Sequence, residues 1–513
     1  MATELHSSSQ AKARFGLGKY GLIFACGTAL FSDGYVNAVA GSVNTILSRI
    51  YPNEYGKNHY STLFSGMAYL GTIIGQLSFG YFVDRYGRKW GMLAASTIMI
   101  IGSALCAGAY GYHGSVQGMF TALIVYRLLT GIGIGAEYPS GSVAASENTE
   151  NPGVPRRWQH GLFVLATNSM IDIGFVVRRL FFFRVPLGAA LTALLFTALV
   201  PLVLLYIFNN NNLGAVWRLT FGLGIVPAGL VLLWRLRMPQ EPERYRKSAI
   251  RKNVPYRLLF KRYWRSLLGV SLCWFLYDFI TYPFGLFSSK IVDIITGGST
   301  KLSTVFIWGL VINAFYVPGT VIGAFLVDWI GPKKQLMLFL CLQGVTGFFM
   351  SGFYEKLTEH VAGFAVIYGV FLSFGEAGPG DCLGLLASKT WPTAARGQMY
   401  GIAAAIGKIG AYVGVWAFPA IIADFPAGPK QTSGPFWVGS GLAFLSALIA
   451  FFLIPEAKMD GMTLEDERFR EYLAAEGYDV SQMGTHSQLS SGESAFEEGA
   501  AADDDKKVVE SSY

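Results

Sequence analysis

The chain has 513 residues, 52% of them hydrophobic and 14% charged, with a formal net charge of +7. Soluble globular proteins carry roughly 25% charged residues, so this composition, with a mean hydropathy of +0.41, excludes a water-soluble globule and points to an all-α polytopic membrane protein. The basic residues stand in short loops between apolar runs, where they act as topology signals rather than as a nucleic-acid surface.

The opening MATELHSSSQAKARFGLGKY has no short apolar run ending in a small-residue cleavage site, so the first span is expected to serve as its own signal. Apolar stretches long enough to cross a bilayer cover about residues 18–45, 60–82, 90–110, 118–146, 160–177, 185–208 and 214–236. Beyond a basic interval they resume at about 264–287, 303–330, 335–353, 361–388, 396–424 and 435–455. The five cysteines, Cys26, Cys106, Cys273, Cys341 and Cys382, fall inside these stretches without paired or ligand-like spacing and read as small core residues. The six histidines are scattered, and no metal cluster, catalytic triad or ATP-binding signature is recognisable. The expectation is neither an enzyme nor a metal or cofactor protein.

Between Arg235 and Arg265 eleven Lys and Arg face two acids, Glu241 and Glu243, which predicts a cytoplasmic loop. The turns at Arg85, Arg88 and Lys89 and at Arg156 and Arg157 should then be cytoplasmic too. With both termini inside, the basic interval must follow span six, whereas a literal count puts it after span seven. The discrepancy lies in residues 178–198, where Arg178, Arg179 and Arg184 interrupt a membrane segment. Each cation at span centre costs about 2.5 to 3.5 kcal/mol on insertion scales. Removing the stretch joins IDIGFVV to LVPLVLLYIF and leaves twelve spans. It reads as an aberrant insert, such as a retained intron or a gene-model error; a real re-entrant or amphipathic element is the alternative.

The expected organisation is therefore a cytoplasmic tail over 1–17, a six-helix bundle over 18–236, a basic loop over 237–263, a second six-helix bundle over 264–456 and an acidic, disordered cytoplasmic tail over 457–513. MTLEDERFREYLAAEGYDV within that tail has the pattern of a short helix, and the tail offers contact with endocytic machinery or no specific role. Glu137 stands out in RLLTGIGIGAEYPSGSVAASE, because a carboxylate inside a span faces an aqueous cavity, carries protons or pairs with a cation such as Arg127. Gly131, Gly133, Gly135 and Gly141 would admit a close helix neighbour and suit a moving seam. The turn GYFVDRYGRKW at 80–90 is echoed by GAFLVDWIGPKKQ at 323–335. Such repeated halves mark transporters, and Asp84, Arg85, Arg88 and Asp328 are expected to latch the cytoplasmic ends of helices.

These turns, the twelve-span plan, MPQEPERYRK and PEAKMDGMTLEDE resemble the major facilitator superfamily. GIGIGAEYPSGSVAASE, CWFLYDFITYPFG and GLLASKTWPTAARGQMYGIAAAIGKIGAYVG resemble its phosphate:proton symporter family, in the fungal glycerophosphoinositol and glycerophosphodiester permease branch, over roughly residues 18–456. The resemblance implies the major facilitator fold, proton symport by alternating access, and a plasma-membrane location. It assigns Trp274, Asp278 and Tyr282, which four-residue spacing sets on one helix face, to substrate binding with Tyr138 and Lys408. It assigns Asp33 to the proton path, with Arg127 as its partner. In the alternative reading Asp278 and Lys408 neutralise each other until phosphate enters.

The chain also departs from the inorganic phosphate carriers, with Glu137 for an Asp, Ile171 beside Asp172 for a Gln, and Gly380 for an Asn. The missing side chain at Gly380 leaves room for an organic ester group, and Asp172, Asn168, Glu376 and Asp381 are extra polar groups for polyol hydroxyls. Proton-coupled import of glycerophosphodiesters such as glycerophosphoinositol or glycerophosphocholine is the leading expectation, with protons loading Glu137 and Asp33. The alternatives are an inorganic phosphate symporter and a nutrient receptor or inactive product.

Overall fold

The computed structural model describes residues 19–483, apart from 57–58, 152, 176–198, 209–211, 239–240, 251–253, 296–301 and 427–428. Helices dominate and no strand occurs among the described residues, as expected where lipid leaves backbone groups no other partner. The first half comprises α1 (Lys19–Gly27), α2 (Leu30–Ile50), α3 (Tyr60–Tyr86), α4 (Arg88–Ala107), α5 (Val116–Glu137), α6 (Val143–Thr149), α7 (Gln159–Ala166), α8 (Asn168–Phe175), α9 (Leu199–Ile207), α10 (Leu213–Leu223) and α11 (Ile225–Leu236). The second comprises α12 (Tyr256–Ile295), α13 (Leu302–Asn313), α14 (Tyr316–Ile330), α15 (Pro332–Gly352), α16 (Val361–Gly375), α17 (Asp381–Lys389), α18 (Arg396–Asp424) and α19 (Pro429–Leu453), followed by α20 (Gly461–Ala475).

Ten stretches among the described residues are long and apolar enough to cross a membrane, from Tyr20–Ile50 to Ser433–Leu453. The 27-residue α3 is as long and stands outside these ten; its Ser65, Thr72, Gln76 and Asp84 are buried. The proposed insert at 178–198 lies outside the described residues, and with it part of the twelve-span count.

Glycines set the closest contacts. A Cβ on Gly135 would lie 2.1 Å from the Thr72 carbonyl oxygen, and one on Gly71 would lie 2.0 Å from that of Leu128, so α3 and α5 meet backbone to backbone. That seam belongs to one half of the molecule. The contact between halves runs instead along α3 and α18, where Gly401 sits over the Gln76 carbonyl, and between α7 and α14.

Two expected boundaries move. The helix expected to begin at 264 starts at Tyr256, so the basic loop forms its first two turns. The tail expected to be disordered from 457 contains α20, whose Met462, Asp466, Phe469 and Leu473 recur every three or four residues and are buried. Basic loop and acidic helix meet through Lys261–Glu476 at 2.7 Å and Arg262–Glu465 at 3.4 Å. Residues 484–513 lie outside the description.

Candidate substrate-binding site

A cavity of about 120 Å³ opens between the two halves. On α12 the spacing of Trp274, Asp278 and Tyr282 brings all three to its wall, and Lys408 reaches it from α18. Lys408 is 2% exposed and Asp278 1%, and their charged atoms lie 3.0 Å apart. Lys408 also donates to the Tyr282 hydroxyl and sits 3.8 Å from the centre of that ring and 5.4 Å from that of Tyr138. The Tyr138 hydroxyl donates to Asp33 at 2.6 Å, and Asn37, one turn along α2, donates to the other Asp33 oxygen at 2.6 Å. Trp274 packs edge-on against Tyr400, 5.7 Å between centres. A cation, two phenols and an indole thus surround one spot, the donor set that charge-assisted recognition of an oxyanion requires. An anion arriving there competes with Asp278 for Lys408.

A second polar group occupies another part of the wall. Asn168 donates to Glu376 at 3.1 Å and to Asp381 at 2.9 Å, Thr320 to Asp381 at 2.6 Å, and Tyr277 to Glu376 at 2.8 Å. Asp172, on α8, also lines the cavity. Gly380 does not leave empty room for substrate as expected: a Cβ there would lie 2.2 Å from a Glu376 carboxylate oxygen and 3.0 Å from the Tyr277 hydroxyl. The space is taken by those two groups.

Glu137 and Arg127 do not line this cavity. Glu137 pairs with Arg235 at 2.6 Å and accepts from Ser96 at 3.2 Å, so its cation is Arg235 rather than Arg127. Arg127 donates to the carbonyls of Val36 and Phe64 rather than to Asp33. Sequence reading missed Arg235 because it lies 98 positions from Glu137; its only local signal was a basic residue in the last turn of an apolar helix.

The repeated acids join the halves at the end carrying the basic turns. Asp84 accepts from the backbone N–H of Gly397 at 2.9 Å and Gln398 at 2.8 Å, at the start of α18, while Arg88 binds it at 2.5 Å. Asp328 accepts from the N–H of His160 at 2.9 Å and Gly161 at 2.8 Å, at the start of α7. Each half therefore caps a helix of the other, where free N–H groups and the helix dipole favour an anion. The turn glycines, Gly87 and Gly331, adopt φ of 120° and 89°, which side chains oppose. Arg85 takes no part: it lies on the exposed side against Tyr81. Lys333 donates to the Phe451 carbonyl, not to Asp328.

Unforeseen groups extend this latch. Glu147 binds both Arg88, at 3.0 Å, and Arg396, at 3.1 Å. Asp466 of α20 accepts from the Thr393 N–H at 2.6 Å and hydroxyl at 2.7 Å. Glu150 joins Lys389 at 2.9 Å and Arg244 at 3.2 Å; burial pushes its carboxyl up, but the two cations outweigh this and hold it below the ordinary value. Glu241 caps α4 through the N–H groups of Arg88 and Lys89, and burial raises its carboxyl despite them.

The sugar (and other) transporter family matches residues 22–245 and 237–469, one half each. The chain belongs to this family. The transporter is 43% identical over 470 residues to the major glycerophosphoinositol permease of Candida albicans, covering 90% of this chain and 83% of that one. It is 42% identical over 465 residues to the glycerophosphocholine permease of the same organism, covering 90% and 83%. The solved proton:xylose symporter XylE superposes with a TM-score of 0.70 at 18% identity, covering 88% of this chain and 98% of the symporter, which gives the transporter the major facilitator fold. It is a multi-pass membrane transporter, not an enzyme.

Proposed function

We propose that the transporter imports glycerophosphodiesters together with protons, by alternating access, across the plasma membrane with its basic end and both termini in the cytoplasm. The observation that carries this reading is Lys408 held between Asp278 and Tyr282 on the cavity wall beside the Tyr138–Asp33 pair. The substrate phosphate displaces Asp278 from Lys408. Protonation of Asp33 weakens the hydrogen bond that it accepts from Tyr138, whose hydroxyl then turns to the phosphate, so that proton and anion bind together. Each negative charge moved inward against the membrane potential costs about 2.3 kcal/mol per 100 mV, and the co-transported proton offsets it. Glu137, held by Arg235, serves as a fixed structural anion in this scheme and Asp33 as the proton carrier. Release of the Asp84 and Asp328 caps opens the cytoplasmic end.

The named relatives support the phosphodiester as substrate. The test is uptake by permease-deficient yeast expressing the chain with and without residues 178–198, using labelled glycerophosphoinositol, glycerophosphocholine and phosphate at acidic and neutral pH. Diester uptake stimulated by acid supports the reading. Uptake of phosphate alone would replace it with an inorganic phosphate symporter, and binding without accumulation would leave a nutrient receptor or inactive product.

A further inference from the structure

Carboxyl groups do not attract an oxyanion, so the acidic part of the cavity calls for another occupant. Asp172 and Asp381 are 1% exposed and Glu376 5%, yet among the described residues none of the three is joined to a Lys, Arg or His, and the cavity's lysine is held by Asp278. Their partners are neutral: Asn168, Thr320 and Tyr277. One oxygen of Asp172, Oδ2, has no hydrogen-bond partner among the described residues, and neither has the buried Oδ1 of Asn313; both residues line the cavity. Buried acceptors left without donors are costly, and clustered carboxyl groups are costlier still unless they take up protons or a cation accompanies them. Tyr277 and Tyr316 line the same cavity and supply aromatic surface.

The two polar parts are close. Tyr277 and Asp278 are neighbours in α12, about 100° apart around the helix; one meets Glu376 and the other Lys408. The cavity therefore carries the Lys408–Asp278 pair and the Asp172, Glu376 and Asp381 group on neighbouring parts of its wall, linked through two consecutive side chains of α12.

We propose that Asp172, Glu376 and Asp381, with the Tyr277 ring, form a subsite for a cationic nitrogen on the diester whose phosphate meets Lys408, so that the transporter favours zwitterionic amino-alcohol esters. This rests on the phosphodiester reading above. Carboxylates and aromatic faces both attract such a cation. A polyol head group supplies hydroxyl donors but brings no positive charge to pair with the acids.

The test uses the full chain in permease-deficient yeast, with the surface level of each variant measured. On the wild type, unlabelled glycerophosphocholine, glycerophosphoethanolamine and the neutral 3,3-dimethylbutyl ester, in which carbon replaces nitrogen, compete with labelled glycerophosphocholine. The neutral ester should compete about tenfold more weakly than the choline ester of the same shape, equivalent to about 1.4 kcal/mol; equal competition overturns the proposal. Stronger competition by the ethanolamine ester assigns binding to hydrogen bonds, and by the choline ester to the ring face; either outcome supports the subsite. Asp172→Asn and Glu376→Gln should lower amine-ester uptake about tenfold while glycerophosphoinositol uptake falls far less. Equal loss of both substrates, or loss of glycerophosphoinositol alone, overturns it. Should a variant fail to reach the surface, the wild-type competition decides. Wild-type uptake of free phosphate alone would sink the phosphodiester reading and this one with it. Uptake of glycerophosphoinositol without any amine ester would sink only the cationic subsite.

Discussion

Asp84→Ala is the sharpest perturbation of the contact between halves. The carboxylate is 2% exposed and holds two backbone N–H groups of α18 together with Arg88. Hydrogen bonds to a charged group contribute about 1.5–3 kcal/mol each, and breaking a buried ion pair costs about 3–5 kcal/mol. Arg88 keeps Glu147, which limits the loss, so we expect about 3 kcal/mol less stability for the state in which the basic end is closed. At about 1.4 kcal/mol per tenfold, this shifts the balance between closed and open forms by roughly a hundredfold. Hydrogen exchange followed by mass spectrometry on the purified transporter reads the effect directly: amides of residues 396–402 should exchange faster, and those of 275–282, remote from the latch, should not. Asp84→Asn should show a smaller effect in the same direction. Unchanged exchange over 396–402 in Asp84→Ala would refute the argument that this carboxylate ties the halves together.

Lys408→Gln should abolish uptake and lower thermal stability by about 3–5 kcal/mol, because Asp278 is left buried without its cation; the double variant with Asp278→Asn should recover stability, read by a thermal-shift assay, but not uptake. Glu150 has a lowered folded-state carboxyl pKa, so its contribution is complete above the unfolded value, about 4.3, and is lost as pH falls through the lower folded value. Thermal stability of the wild type should therefore fall more steeply with acid than that of Glu150→Gln, and parallel profiles would count against the Lys389–Glu150–Arg244 cluster. Phe469→Ala should cost about 3–5 kcal/mol in the docking of α20 and raise protease cleavage within 461–475; unaltered cleavage would mean that this ring does not anchor the helix. Gly135→Leu should prevent folding, seen as absence from the membrane fraction, since its Cβ would start 2.1 Å from a carbonyl oxygen.

The parts legible in the sequence are those fixed by local geometry. Helical periodicity sets Trp274, Asp278 and Tyr282 on one face whatever surrounds them, and span length follows from hydrocarbon thickness. The duplicated acid turn could be read because each copy needs the same glycine conformation. What each acid binds could not, since the caps of Asp84 and Asp328 join helices far apart in the chain. Likewise Glu137 could be recognised as needing a partner, but only packing decided that Arg235 reaches it and Arg127 does not. The helix in the acidic tail was visible as a pattern, and its burial depended on Arg244, Thr393 and Arg396 gathering around Asp466. Gly380 marks the limit most clearly: a missing side chain shows where volume is removed, and the fold alone determines that Glu376 and Tyr277 fill it. Sequence by itself thus determined the membrane class, the repeat and the local faces of helices, because these depend on neighbours within a turn or two. Tertiary structure decided which charges meet and where the cavity lies, because those contacts depend on distant segments whose register is set by close packing.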